Sequence, residues 1–150
     1  MANINQVCLS VCTRCKPPSF AGADTERPGY QLAGTILQHA REATDATFSL
    51  TIRGVRCMSQ CKRACVVALS APAKFTLVFG DLDVETDADA VVALAHQFAH
   101  SPDGLVPRSE RPAPLRAGIL GRIPPLGYAG EALDERFAFH SNAHPTKELL

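Results

Sequence analysis

Along the first third of the chain, segments with a two-residue period flank one segment of helical period. Gln6 to Val11 (QVCLSV) alternates polar and apolar positions, which predicts a short strand delivering Cys12 and Cys15 at its end. Residues 16–29 (KPPSFAGADTERPG) hold three prolines and two glycines, so this stretch reads as a loop crossing the surface. From Tyr30 to Ala43 the apolar residues Leu32, Ile36, Leu37 and Ala40 fall on one helical face, and Gln38, Arg41 and Glu42 fall outside it. Thr47 to Val55 then sets Phe48, Leu50 and Ile52 against Thr47, Ser49, Thr51 and Arg53, the pattern of a half-buried strand.

Two short apolar runs follow, Cys65 to Ala71 and Lys74 to Phe79, joined by Pro72-Ala73 in what reads as a hairpin. Thr86 is placed to cap a helix with Asp87 and Asp89 in its first turn, and with Ala88, Val91, Val92, Ala95 and Phe98 as its buried stripe. The predicted order is βαβ then ββα. That is an α/β, thioredoxin-like arrangement, a four-stranded mixed sheet with helices packed on it. The domain so defined runs over residues 1–101. Residues 102–150 hold seven of the eleven prolines and no long periodic run, so they are expected to form an extended Pro-rich C-terminal segment. Within it LRAGILGRIPPLGY is apolar enough to dock on the domain, and disorder is expected beyond His140.

A chain of 150 residues with 46% apolar and 20% charged residues can build its own core, so a metal would serve chemistry before bulk stability. The N-terminus lacks the basic and apolar pattern of a secretion signal, and no apolar run is long enough for a membrane span. A soluble, cytoplasmic protein is therefore expected, with no membrane or nucleic-acid partner. The formal net charge is zero, yet no Asp or Glu occurs in residues 1–23 or 46–80. Those stretches contain all six cysteines together with Arg14, Lys16, Arg53, Arg56, Lys62, Arg63 and Lys74. The cysteine region is thus basic.

Cys12-Thr-Arg-Cys15 and Cys57-Met-Ser-Gln-Cys61 each begin where a predicted strand ends. In the expected arrangement the loops bearing them meet at one sheet edge, so four thiolates converge from two platforms. A [2Fe–2S] centre takes four cysteine sulfurs, two per iron. Cys12 and Cys15 on one iron and Cys57 and Cys61 on the other satisfy that rule, as does a mixed pairing. Cys8 and Cys65 lie in or beside strands and read as small buried hydrophobes, with Cys65 as an alternative ligand.

CMSQCKRACVVAL resembles the second cysteine loop of thioredoxin-like [2Fe–2S] ferredoxins and of the small subunit of respiratory NADH dehydrogenase. Together with VCTRCK, the hairpin ending in FGDL, and SPDGLVPRSERPAPLRAGILGRIPP, it also resembles an uncharacterised bacterial family described as metal-binding. That resemblance covers about Val7 to Pro125 and implies a metal centre, with a redox role near cobalamin biosynthesis. The first loop departs from the ferredoxins, whose two first-loop cysteines stand farther apart than Cys12 and Cys15, and Cys65 has no counterpart there.

The expected function is one-electron transfer, with a redox partner protein docking on a basic rim of Arg14, Lys16, Lys62 and Arg63; a homodimer is left open. Zinc held by four cysteine thiolates is the alternative cofactor, in a structural or interaction protein or a metal chaperone. Thiol–disulfide exchange is disfavoured, because Lys16-Pro17-Pro18 follows Cys15 where a helix N-terminus would be needed to lower the first thiol's pKa. His39, His96 and His100 read as surface or capping residues, and His140 and His144 lie in the C-terminal segment. No nucleophile with a partnered base and no Gly-rich phosphate loop is present in the sequence, so no enzymatic activity is expected.

Overall fold

A computed structural model describes residues 5–43, 46–139 and 141. Seven principal elements follow one another: β1 (Asn5–Cys12), α1 (Pro28–Glu42), β2 (Phe48–Val55), β3 (Val67–Ser70), β4 (Thr76–Phe79), α2 (Ala88–His100) and β5 (Ile119–Ile123). They form one mixed sheet in the order β2-β1-β3-β4-β5. Only β1 and β2 run parallel, joined through α1, and the remaining pairs are antiparallel.

Alternation in β1 explains how the sheet is covered. Val7, Leu9 and Val11 are buried, and in register with them on β3 and β4 lie Val67, Leu69, Leu77 and Phe79. Leu32 and Ile36 of α1 and Val91, Leu94, Ala95 and Phe98 of α2 complete that core. Both helices contact β1 and each other, so they share one face of the sheet. Each large side chain so enclosed contributes about 1.5–3 kcal/mol. The opposite face of β1 and β2 is polar: Cys8 stands between Thr51 and Ser70, and Arg53 Nε donates to Ser10 Oγ at 2.7 Å.

The sheet has five strands where four were expected. The extra one, β5, comes from the Pro-rich segment and pairs with β4, whose outer edge would otherwise be bare. The segment before it is also built in, with Val106, Arg111 and Leu115 buried and Leu115 in a short turn packed on α2. Gly104 has φ +81°, and a Cβ there would lie 2.7 Å from the Phe98 ring, so this crossing beneath α2 requires glycine. The expectation of disorder beyond His140 falls, save for Ser141, outside the described residues.

Helix α2 starts one residue later than Thr86 would place it. The N-cap is Asp87; the Thr86 hydroxyl donates to Asp87 Oδ1 at 3.0 Å and does not cap, while Asp87 Oδ2 accepts from the Asp83 N–H at 2.8 Å. Among the described residues no helix is long and apolar enough to cross a membrane.

Candidate metal centre

The register of β1 and β2 brings the two cysteine loops to the same end of the sheet. Cys12 lies opposite Val55, and the next residue, Thr13, donates its N–H to the Val55 carbonyl at 2.8 Å. On its other side, the Cys12 N–H donates to the Val66 carbonyl at 3.0 Å, one residue past Cys65. Cys12, Cys15, Cys57, Cys61 and Cys65 thus belong to one end of the sheet. Cys8 lies within β1 on the polar face.

The five thiols divide by environment. Cys12, Cys15 and Cys65 are 3%, 1% and 3% exposed, whereas Cys57 and Cys61 are open to solvent. Burial, then the hydrogen bond to Cys12 and its charge, push the Cys15 thiol up to about 12, with a weaker opposing hydrogen bond from the Val66 backbone. Burial first, then Cys12 and Asp83, push Cys65 up to about 11. The structure therefore makes Cys65 a neighbour of Cys12 and Cys15, a grouping that the strand pattern did not reveal. Cys57 Sγ accepts from the Ser59 N–H at 3.4 Å across a turn in which Ser59 has φ +58°. Cys61 opens a single 3-10 turn, Cys61–Arg63. Among the described residues no three Cys, His, Asp or Glu side chains converge on a common point suited to a metal ion.

Three residues outside the cysteine runs shape this end. Gly29, in the first turn of α1, donates its N–H to the Cys15 carbonyl at 2.9 Å, and a Cβ there would overlap the Cys12 carbonyl oxygen and lie 2.9 Å from Cys15 Cβ. Asp81 pairs with Arg63 through both carboxylate oxygens. Leu82 exchanges backbone hydrogen bonds with Cys65, at 3.2 and 3.4 Å. The run Phe79-Gly80-Asp81-Leu82 was visible in the sequence as FGDL, and it braces the second cysteine loop.

Thiolates are the ligand type of thiophilic metals and of iron–sulfur clusters, and five cysteines belong to this end of the sheet, although no three of their side chains meet at one point among the described residues. Buried neutral thiols avoid the cost of an unpaired charge and must release protons to become ligands. His96 and His100 lie elsewhere, edge-on to Phe48 at the opposite end of β2. The His100 ring also contacts the His96 carbonyl at 2.8 Å and the Thr47 hydroxyl at 3.1 Å.

A family model described as "Protein of unknown function (DUF1636)" matches residues 9–125. The chain belongs to this family. The matched span takes in Cys12, Cys15, Cys57, Cys61 and Cys65 and leaves Cys8 outside. A solved structure of a thioredoxin-like [2Fe–2S] ferredoxin from Aquifex aeolicus is similar over 83% of this chain and 99% of its own, at 18% identity and a TM-score of 0.48. No curated protein matches.

Proposed function

We propose that this chain holds a [2Fe–2S] cluster through Cys12, Cys15, Cys57 and Cys61 and serves as a one-electron carrier. The observation that carries the reading is the register of Cys12 with Val55, which brings the CxxC and CxxxC loops to one end of two adjacent parallel strands. Such a cluster supplies reversible one-electron transfer between its diferric and mixed-valence states. In this reading Cys12 and Cys15 would supply the buried ligands and Cys57 and Cys61 the exposed ones. Protons leaving the buried thiols couple metal uptake to pH. Arg14, Lys16 and Lys62 carry no ion pair among the described residues and form the free part of a basic rim for an acidic redox partner. Arg63 is already engaged by Asp81.

The burial of Cys65 beside Cys12 and Cys15 favours a second ligand set, in which Cys65 replaces Cys15. Protein purified without oxygen should be reddish-brown, contain about two irons and two sulfides per chain, and give an EPR signal on one-electron reduction. Cys57→Ala and Cys61→Ala should lose the cluster. Loss in Cys65→Ala with retention in Cys15→Ala would establish the second set. Colourless protein with stoichiometric zinc from iron-replete cells would replace the cluster reading with a zinc site of four cysteine thiolates.

A further inference from the structure

Far along the chain from the cysteines, Arg108, Arg111, Arg116 and Arg122 line one cavity of about 380 Å³, with Ile119 and Leu120 as its apolar wall. None of the four is ion-paired among the described residues. The nearby carboxylate of Asp81, 3.8 Å from where a Cβ on Gly118 would sit, is taken by Arg63.

These guanidinium groups are held in place. Arg108 Nε donates to the Arg116 carbonyl at 3.0 Å, Arg111 Nε to the Val106 carbonyl at 2.9 Å, and Arg116 Nε to the Arg111 carbonyl at 3.1 Å. Each of these three side chains is thus anchored through Nε, and its two terminal nitrogens make no hydrogen bond among the described residues. The side chain of Arg122, on β5, makes none among them at all. Arg111 is buried, with its guanidinium 5.6 Å from the centre of the Phe79 ring. Burial, and after it the charges of Arg122 and Arg108, weaken its hold on its proton. Gathering like charges around a buried guanidinium costs stability, and an anion in the cavity removes that cost.

We propose that this cavity binds a phosphorylated small molecule, with the arginine terminal nitrogens on its phosphoryl oxygens and its apolar body against Ile119 and Leu120. Several guanidinium groups lining one cavity suit the three oxygens of a phosphate monoester, whereas a carboxylate is satisfied by a single fork. The volume lies at the lower end of the roughly 300–1,000 Å³ of ligand pockets, which favours a small molecule over an acidic protein segment. The proposal is independent of the cysteine chemistry.

The test is calorimetric titration of the full-length protein with phenyl phosphate, inorganic phosphate, benzoate and a polyglutamate peptide, at fixed ionic strength. Phenyl phosphate should bind saturably, more tightly than inorganic phosphate, and benzoate should bind far more weakly than either. The Arg122 side chain makes no hydrogen bond among the described residues and its charge opposes that of Arg111, so ligand-free Arg122→Gln should melt at or above wild type and bind phenyl phosphate about tenfold more weakly, the loss of one charge-assisted hydrogen bond. Arg116→Gln serves as the second variant. Unchanged phenyl phosphate affinity in a folded Arg122→Gln, or benzoate binding equal to that of phenyl phosphate, would overturn the assignment. So would binding of polyglutamate alone, which would make this face a docking surface for an acidic protein.

Discussion

Arg63 and Asp81 form a forked ion pair, with Arg63 Nε 3.0 and 2.9 Å from the two carboxylate oxygens and Nη2 2.5 Å from Oδ2. The Asp81 N–H donates back to the Arg63 carbonyl at 2.7 Å, so side chain and backbone both tie the turn bearing Cys61 to the end of β4. Asp81 adopts φ +58° to make both contacts, a conformation that Asp tolerates better than most residues.

This pair sets a pH dependence. The Arg63 guanidinium holds the Asp81 carboxyl below its ordinary value, so the folded state favours the ionised form. Its contribution is complete above about pH 4, the ordinary carboxylate value, and is lost as pH falls through the lower folded value. Both side chains are about half exposed, so the loss should appear in the cysteine turn more than in global unfolding. Carbon-detected NMR titration should find Asp81 below the ordinary range in wild type and back near it in Arg63→Gln. Matching curves in the two proteins would show that the contact has no electrostatic consequence.

Thiol environment sets an order of reactivity. In metal-free reduced protein, iodoacetamide should modify Cys57 and Cys61 first, because they are exposed. Cys15 and Cys65, buried and with thiols shifted up to about 12 and 11, should follow only on unfolding. Peptide mass spectrometry over a time course reads the order, and early modification of Cys15 would contradict the buried grouping.

Gly29→Ala should damage the first cysteine loop specifically. The added methyl overlaps the Cys12 carbonyl and presses on Cys15, so α1 or the loop must move, at a cost of about 1–3 kcal/mol. Denaturant unfolding measures the cost, and faster alkylation of Cys15 in the variant locates it. The neighbouring Gly34, whose Cβ would meet nothing within 4 Å, is the control: Gly34→Ala should be neutral or stabilising.

Leu115→Ala tests whether the Pro-rich segment is part of the core. Leu115 is fully buried, in a turn against α2, and its truncation should cost about 2–5 kcal/mol in chemical denaturation. A loss below about 0.5 kcal/mol, the range of surface substitutions, would mean that the segment rests on the domain without supporting it.

What the sequence made legible follows from where periodicity is strong. β1 and β2 alternate because one sheet face is covered and the other is polar, and Leu32 and Ile36 mark the buried side of α1 at helical spacing. β5 escaped because it spans only five residues, including Gly121 and Arg122, beside Pro124-Pro125, and so carries no alternation. The place of Cys65 depends on the antiparallel register of Val11 with Val67, which a pattern within one strand does not specify. Arg63 read as part of a basic rim because Asp81, its counter-charge, lies eighteen residues away in the chain. Arg108, Arg111, Arg116 and Arg122 gather only because the loop before β5 folds back over that strand.

The parallel pairing of β1 with β2 also implies an order of events in time. Before that pairing exists, Cys12 and Cys57 are separated by the whole α1 crossover, and each loop offers an incoming metal only its own two or three thiols. The pairing in turn needs the chain through Val55, and Cys65 gains its backbone partners only once Leu82 is in place. On the proposed reading, a centre that uses both loops would have all its thiols at hand only once this pairing is complete, which ties loading to the folded sheet.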